Sequence, residues 1–428
     1  MAIGPSASKH PKEVGLLRIL WASNAPWNGS GYGVQTQQVV SRLHRDGHAV
    51  AIAANHGLNG TTLGWNGIPI FPPALDGYGQ DAIPPAYAKW QAVGGGEPTL
   101  VVTLFDVWVY KDPLFDGLPS SALPDFPPQQ MPIASWVPID HLQVPEEVLA
   151  FARKHRMIAM SQHGLRLLTE AGIKADYIPH AVETSIFRPV ESHARTTLGI
   201  PADAFVVVIN AANKGNIPPR KGWNEMLTAF ARFAAKHDDA FLYLHTDLIG
   251  HNGVPLMPLL SRRGLDAKRV RVAPQAAYRM GDITPPMLNE LYAMGDVLLS
   301  TSFGEGFGVP VIEAQAAGLP VIVSDVTAQP ELCGSGWTVE TQLYYDLTQG
   351  ADFGIPIIDD IVAKLELAYA AKGDQSLRDK AVSFAAGYDA EVVYQRDWKP
   401  LLADLERWIS PTTRQQKRAL ARKQKKAA

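Results

Sequence analysis

The sequence predicts an α/β protein with two doubly wound parallel sheets, and three observations support this. The length of 428 residues exceeds what one hydrophobic core usually organises, so two domains of about 200 residues each are expected. The composition, with 46% hydrophobic and 19% charged residues, is typical of a folded globular protein. Short apolar runs alternate with helical patterns through both halves, which indicates parallel strands covered by helices on both faces.

The predicted strands are runs that are apolar on both faces and rich in β-branched residues. Parallel strands in doubly wound sheets have this character because helices bury both sides. In chain order the runs are LLRILWAS, AVAIAAN, TLVVTLFDVW, PIASWVPID, MIAMSQ, FVVVINAAN, AFLYLHTD, RVRVAP, DVLLSTS and PVIVSD.

The domain boundary is placed in the segment YIPHAVETSIFRP (177–189), which has two prolines and no clear period. Such a segment suits a linker between two sheets. Apolar and aromatic residues at helical spacing follow the second set of strands and predict terminal helices. The expected units are a first domain at 1–185, a second at 186–385, a helical segment at 386–410 that returns to the first domain, and a tail at 411–428.

Composition also excludes several classes of protein. The single cysteine, Cys333, excludes an internal disulfide framework and a cysteine-based zinc site. No run approaches the roughly 20 apolar residues of a membrane span, and the first 15 residues lack the apolar core of a secretory signal. We therefore expect a soluble, cytoplasmic protein.

Charge is concentrated at the C-terminal end. Residues 411–428 contain seven basic residues and no acidic one, whereas the rest of the chain has 32 basic residues against 42 acidic ones. A terminal block of like charge is commonly a disordered arm that contacts a polyanion, either nucleic acid or an anionic membrane. A tail that is merely solvated is the alternative interpretation.

A glycine-rich turn follows the first strand, in the stretch NAPWNGSGYGV. Glycines between a strand and a helix allow backbone amides to approach a phosphate or a sugar. We therefore expect Gly31, Tyr32 and Gly33 to contact a donor molecule. The spacing is not G-x-G-x-x-G, and no acidic residue follows the next strand where a dinucleotide would need one, so a tight turn without a ligand is the alternative.

The stretch GEGFGVPVIEAQAAG (304–318) has the same strand–loop–helix arrangement in the second half. Pro310 fits the first turn of a helix, where no amide hydrogen is needed. Gly306, Phe307 and Gly308 would then offer amides to an anion, and Glu313 would offer a carboxylate to hydroxyl groups. A favourable acid in the first turn beside closely packed glycines is the structural alternative.

These residues resemble a known family. G-E-G-F-G-V-P-V-I-E-A, followed by A-x-G-L-P-V-I-V-S-D, is similar to the E-x7-E signature of retaining family 4 glycosyltransferases with the GT-B fold, in which two Rossmann-like domains face each other across a cleft. Glu305 and Glu313 occupy the two glutamate positions. IPHAVETSIFRP is similar to the linker of that family. The resemblance covers residues 16–405 and is closer in the second half.

The resemblance implies a role for each matching position. Glu313 would hold the donor ribose, while Glu305 and the backbone amides of Gly306, Phe307, Gly308 and Val309 would contact the transferred sugar. Arg220 and Lys221 would bind the diphosphate and take the charge of the leaving group. No metal or other cofactor is then expected, and the donor would be a nucleotide sugar, most simply a UDP-sugar.

One segment departs from the usual G-R-x4-K-G pattern of the family. Asn213 and Lys214 occupy the position of the arginine, and two additional residues precede Lys221. The second phosphate-binding cation is therefore either Lys214 or Arg220.

Polar residues follow two predicted strands of the first half, where open α/β sheets bind ligands. His141 resembles the first-domain histidine that the family directs at the transferred sugar, and a structural histidine is the alternative. Asp140 and Asp106 are candidates for contact with the acceptor.

We therefore expect a retaining transferase that moves a sugar, expected to be a hexose, to an acceptor hydroxyl. A hydroxymethylated base in DNA would suit the basic tail. A lipid, a polysaccharide or a small metabolite at an anionic membrane surface would also suit it. From other classes, an inactive GT-B binding protein or a phosphorylase of related fold remains an alternative.

Overall fold

The structure, a computed structural model, describes residues 16–73, 78–107, 109, 131–214, 219–250 and 253–410. The basic tail at 411–428 lies outside the described residues. Two large sheets and one hairpin make up the β-structure.

The first sheet has eight strands in the order β3-β4-β2-β1-β5-β6-β7-β8. All neighbouring pairs are parallel except β3 with β4. Its strands are β1 (Arg18–Ser23), β2 (Ala49–Ala54), β3 (Leu63–Trp65), β4 (Ile68–Phe71), β5 (Thr99–Leu104), β6 (Ile133–Val137), β7 (Arg156–Ala159) and β8 (Ala175–Tyr177).

The second sheet has six parallel strands in the order β11-β10-β9-β12-β13-β14. A separate antiparallel hairpin, β15–β16, follows it. These strands are β9 (Phe205–Asn210), β10 (Ala240–His245), β11 (Val270–Val272), β12 (Val297–Ser300), β13 (Val321–Ser324), β14 (Gly336–Val339), β15 (Thr341–Asp346) and β16 (Ala351–Pro356).

Helices connect the strands of both sheets. Their amphipathic faces cover the sheets, as the parallel order requires. They are α1 (Gly31–Arg45), α2 (Ile83–Val93), α3 (Glu146–Ala152), α4 (Gln162–Glu170), α5 (Ala194–Thr197), α6 (Trp223–Ala234), α7 (Leu256–Arg262), α8 (Gln275–Met280), α9 (Pro285–Ala293), α10 (Val309–Ala316), α11 (Ile358–Ala370), α12 (Gln375–Ala385), α13 (Ala390–Val393) and α14 (Lys399–Ile409).

The α/β prediction is confirmed, since each of the ten predicted runs contains a parallel strand. The prediction missed β3, β4, β8, β14 and the β15–β16 hairpin. Strand β15 is exposed or partly exposed at every position except Asp346, and β16 contains Asp352, Gly354 and Pro356. The hairpin therefore lacks the continuous apolar run that identified the other strands.

Both sheets reverse their strand order beside their first strand. In the first sheet the reversal lies between β1 and β5, and in the second it lies between β9 and β12. Ligands of open α/β sheets bind at the carboxyl ends of the strands at such a point. The segments that follow these four strands therefore define where a site is expected.

The last helices pack against the first sheet. Trp398 is buried, with its ring centroid 5.7 Å from that of Trp21 in β1 and 5.1 Å from that of Trp136 in β6. Arg156 in β7 also forms an ion pair with Asp404 in α14. The chain thus crosses from the second sheet back to the first. Among the described helices, none is both long enough and apolar enough to cross a membrane.

Candidate functional site

Two cations lie at the reversal point of the second sheet, in the turn before α6. The backbone amide of Phe303 donates to the carbonyl of Arg220 (2.8 Å), which fixes this turn beside the segment after β12. Gly222 makes the approach possible: its φ is 66°, and a Cβ there would lie 2.3 Å from the carbonyl oxygen of Thr301. Arg220 and Lys221 therefore lie next to the loop that carries Glu305.

Glu305 pairs with both cations. Lys221 Nζ lies 2.5 Å from Oε1 and Arg220 Nη1 lies 3.3 Å from Oε2. Burial alone would raise the pKa of Glu305, but the charges of Lys221 and Arg220 outweigh burial and lower it. Burial lowers the pKa of Lys221. The predicted catalytic residues Glu305, Arg220 and Lys221 thus form one cluster. In it, the Glu305 carboxylate is paired with both cations.

Next to this cluster, α10 begins with Pro310 in its first turn. Within the described part of the chain, the amides of Gly306, Phe307 and Gly308 have no hydrogen-bond partner. A Cβ at Gly306 would lie 2.2 Å from Pro138, so only glycine permits this contact between the two halves. The Phe307 side chain is buried, 5.2 Å from the His180 ring. The backbone of this loop, rather than its side chain, is available to an anion.

Glu313 is buried in α10, with 6% of its surface exposed. The Tyr292 hydroxyl donates to its Oε2 (3.0 Å), and the Asn210 amide donates to that hydroxyl (2.6 Å). Burial raises the pKa of Glu313 to about 7, partly offset by the hydrogen bond from Tyr292. The sequence analysis missed Asn210 and Tyr292; the position of Asn210 at the end of β9 was the available signal.

The glycine-rich turn of the first half faces the second half. A Cβ at Gly31 would lie 3.6 Å from Val309, so the predicted donor-binding positions Gly31 and Val309 are brought together. The amide of Gly33 donates to Ser30 Oγ (3.2 Å), the N-cap of α1. That amide is therefore used inside the protein rather than presented to a ligand.

An aromatic cluster surrounds Asp106 at the reversal point of the first sheet. Tyr32 Oη donates to Asp106 Oδ2 (3.2 Å). The ring centroid of Phe105 lies 5.4 Å from that of Tyr32 and 6.2 Å from those of His56 and Tyr78. Burial, followed by the charge of Asp140, raises the pKa of Asp106 to about 6. The cluster combines planar rings with one carboxyl group, and the sequence analysis identified only Asp106 and Tyr32.

Asp140 joins the two halves, since its Oδ2 lies 3.4 Å from Arg220 Nη1. Burial would raise the pKa of Asp140, but the charge of Arg220 and the contact with His141 lower it to about 2. Asp140 is thus ionised and oriented by a cation of the second half. The contact of Asp140 with the acceptor stays a prediction.

His141 is buried, and both ring nitrogens face carboxylates. Nδ1 lies 2.9 Å from Asp140 Oδ1, an ion-pair distance with angles outside those of a hydrogen bond, and Nε2 lies 3.2 Å from Asp346 Oδ2. The ring stacks on Phe353 with centroids 3.9 Å apart. Both ring nitrogens therefore lie beside carboxylates of the protein, and the contact of His141 with the transferred sugar stays a prediction.

The two residues at the usual arginine position lie apart from the cluster. The amide of Asn213 is buried and binds the carbonyls of Asp247 (2.9 Å) and Val254 (2.8 Å). Lys214 is exposed, and its charge contributes, after burial, to the lowered pKa of His56 in the first half. Arg220 is therefore the cation that accompanies Lys221 in this structure.

A further contact between the halves involves Glu331. Its carboxylate accepts hydrogen bonds from the amides of Gln162 (3.0 Å) and His163 (3.3 Å) at the start of α4. A carboxylate at a helix N-terminus is favourable because it complements the unpaired amides. In the described segments, no group of three or more His, Cys, Asp and Glu side chains is arranged to hold a metal ion.

Comparison with known proteins agrees with this geometry. Residues 210–392 match the family model described as glycosyl transferases group 1. The matched residues contain Lys221, Glu305 and Glu313, so the resemblance predicted from the E-x7-E spacing is confirmed. A D-inositol 3-phosphate glycosyltransferase from Acidothermus cellulolyticus is 32% identical over 157 residues, which cover 35% of this chain and 32% of that protein.

Solved structures extend the likeness to both halves. A glycosyltransferase from Rickettsia africae superposes with a TM-score of 0.64 at 15% identity, covering 93% of this chain and 100% of that chain. HepE from Anabaena, solved with UDP and glucose, gives a TM-score of 0.60 at 17% identity, covering 90% of this chain and 99% of that chain. This chain has the GT-B fold, as the sequence predicts.

Proposed function

We propose that this chain is a glycosyltransferase that moves a hexose from a nucleotide-diphosphate sugar to an acceptor hydroxyl with retention of configuration. The observation that carries the proposal is the cluster of Arg220, Lys221 and Glu305 beside the unpaired amides of Gly306–Gly308. A leaving diphosphate needs fixed positive charge and hydrogen-bond donors, and this cluster supplies both.

The donor would replace Glu305 as the partner of the two cations. The diphosphate would bind Arg220 and Lys221, and the amides at the start of α10 would contact the transferred sugar. Glu305, released from one or both cations, would then accept hydrogen bonds from hydroxyls of that sugar. Held in this way, the leaving phosphate takes the acceptor proton, and no side-chain base is required.

Glu313 would bind the donor ribose. Tyr292 holds one carboxylate oxygen, Oε2, and a carboxylate can accept several hydrogen bonds at once. A UDP-sugar is the simplest donor, and the presence of UDP in the Anabaena structure of the same fold supports it. Of Lys214 and Arg220, we assign Arg220 as the second phosphate-binding cation, because its side chain contacts Glu305.

The acceptor would enter from the first half, at the aromatic cluster around Asp106. Tyr78 is 42% exposed, and a ring stacked on it would present its hydroxyl to Asp106. Stacking on aromatic side chains contributes about 1–3 kcal/mol per base for nucleic acids. A hydroxymethylated base in DNA is our first candidate. The basic residues of 411–428 would supply phosphate contacts that do not depend on sequence.

A second candidate is a small hydroxylated metabolite, and the relative named for D-inositol 3-phosphate favours it. A lipid or polysaccharide at an anionic surface would use the tail in the same way as DNA would. All of these acceptors would use the same donor site, so only the identity of the acceptor distinguishes these candidates.

Mass spectrometry of reaction mixtures tests the proposal. Each reaction contains a UDP-, GDP- or ADP-sugar with duplex DNA containing hydroxymethylpyrimidine, with inositol 3-phosphate, or with no acceptor. A hexose-mass increase on the base identifies the donor and the DNA acceptor together, whereas an increase on the inositol phosphate supports the second candidate. Absence of both transfer and donor hydrolysis with every sugar would reject the transferase, and Lys221→Ala is the inactive control.

A further inference from the structure

We propose that Asp346, on the β15–β16 hairpin, is a positioning residue that holds Arg220 in the cleft by acting through His141 and Asp140. The inference rests on the proposed function, because it gives Arg220 a task on the donor diphosphate. It adds a residue outside the E-x7-E signature to the machinery.

The contacts form one chain of alternating charge. Asp346 Oδ2 lies 3.2 Å from His141 Nε2, and His141 Nδ1 lies 2.9 Å from Asp140 Oδ1. Asp140 Oδ2 lies 3.4 Å from Arg220 Nη1, which lies 3.3 Å from Glu305 Oε2. Every member thus has an oppositely charged neighbour when His141 is protonated. This series of contacts runs from the second half of the protein to the first half and back to the second.

The hairpin is fixed to the loop that carries His141. The carbonyl of Asp352 accepts from the amide of Leu142 (2.9 Å), and its own amide donates to Gln143 Oε1 (2.8 Å). Phe353 of the same strand stacks on the His141 ring at an interplanar angle of 22°. The hairpin therefore determines both where the ring lies and which way it faces.

The groups that face His141 favour its charged form. Burial would lower the pKa of His141, but Asp140 and then Asp346 outweigh burial and raise it. From α4, the His163 ring contacts the backbone carbonyl of His141 (2.8 Å). Burial lowers the pKa of His163. An imidazolium between two carboxylates allows Asp140 to stay ionised and oriented.

Arg220 depends on this order because it is shared between the halves. Its guanidinium has one carboxylate from each side, Asp140 from the first half and Glu305 from the second. When the donor takes Glu305's place, Asp140 is the remaining carboxylate partner. Without Asp346, His141 loses the charge that holds Asp140, and Arg220 loses its orientation in the loaded site.

The test variant is Asp346→Asn, with Asp352→Asn as its matched control. Asp346 Oδ1 also accepts from the amide (2.9 Å) and hydroxyl (2.7 Å) of Thr348. An asparagine oxygen preserves this turn while removing the charge beside His141. Asp352 lies on the same hairpin, but its carboxylate contacts Gln143 (3.0 Å) and not His141.

We expect Asp346→Asn to lower kcat by about 10- to 100-fold, as misplacement of a catalytic group does. The alkaline limb of its pH–rate profile moves to lower pH, because the pKa of His141 falls when one neighbouring anion is lost. Asp352→Asn keeps the wild-type rate and profile. Equal behaviour of the two variants in both rate and pH profile would overturn the proposal.

A readout without turnover separates this proposal from the proposed function. Proton titration of labelled histidines by NMR follows His141 directly, and calorimetry follows binding of UDP. If wild type transfers no sugar, the proposed function fails. The charge chain still stands if Asp346→Asn lowers the His141 titration midpoint and weakens UDP binding relative to Asp352→Asn, and it fails if neither changes.

Discussion

The two sheet edges that face each other in the cleft are built in different ways. The second-sheet edge combines fixed charges, unpaired amides and a buried hydroxyl–carboxylate pair, supplied mainly by two segments, 220–222 and 303–313. The first-sheet edge has aromatic rings and two carboxylates, gathered from the ends of β1, β2, β5 and β6. Under the proposed function, the donor-binding residues come from a few short segments of the chain, whereas the acceptor-binding residues are brought together only by the fold.

The largest expected effect is on the donor side. Lys221→Ala and Glu313→Ala should each reduce turnover by about 100-fold or more, since each removes a preorganised polar contact with the donor. Steady-state kinetics with saturating acceptor measures this, and Lys89→Ala, at an exposed position of α2, is a control. Near-normal rates in both variants would mean that the two segments do not form the donor site.

Donor binding should also depend on pH through Glu313. Because burial raises its pKa to about 7, the carboxylate that accepts ribose hydroxyls is lost as the pH falls below that value. UDP affinity should therefore decrease on acidification in wild type. In Glu313→Gln it should be weaker at high pH and vary only with the titration of UDP itself, and calorimetry on both sides of pH 7 compares the two.

Changes on the acceptor side should have a smaller and different effect. Tyr78→Leu should raise the KM for the acceptor by about tenfold, because one exposed stacking surface worth about 1–3 kcal/mol is lost. Hydrolysis of the donor in the absence of acceptor should stay unchanged. A fall in donor hydrolysis would show that the aromatic cluster supports the donor site instead, which would break the comparison.

The smallest effect on catalysis is expected from deletion of residues 411–428. Turnover on a small acceptor should be unaffected. Binding to duplex DNA should weaken and lose most of its dependence on salt, because the seven basic residues are the proposed phosphate contacts. Salt titrations of DNA binding measure this, and an unchanged salt slope would remove the tail from the proposed interface.

Much of the fold could be predicted from the sequence because parallel strands leave a direct pattern. The apolar runs of β9, β10 and β12 are buried along nearly their whole length, and burial on both faces requires such runs. Hairpin β15–β16 could not be predicted in this way. Leu343 and Tyr345 on its outer face are exposed, so its pattern lacks the signal of a covered strand.

Some residues of the candidate site could likewise be predicted from the sequence, and others could not. The E-x7-E spacing identifies Glu305 and Glu313, and Pro310 identifies the start of α10, because all three lie within one strand–loop–helix unit. The choice between Lys214 and Arg220 stayed open in the sequence. In the structure Arg220 contacts Glu305, whereas Asn213, next to Lys214, binds residues more than 30 positions away.

The sequence by itself determined the parallel strands of both sheets, the match of residues 210–392 to the group 1 family model and the local order of the residues in 303–313. Only the tertiary structure decided that both nitrogens of His141 face carboxylates, one of them Asp346 at a distance of 205 positions along the chain. Only it placed Arg220 between Asp140 and Glu305. Periodicity and motif spacing report short-range geometry, whereas an ion pair between two halves depends on how the sheets dock, which no local pattern encodes.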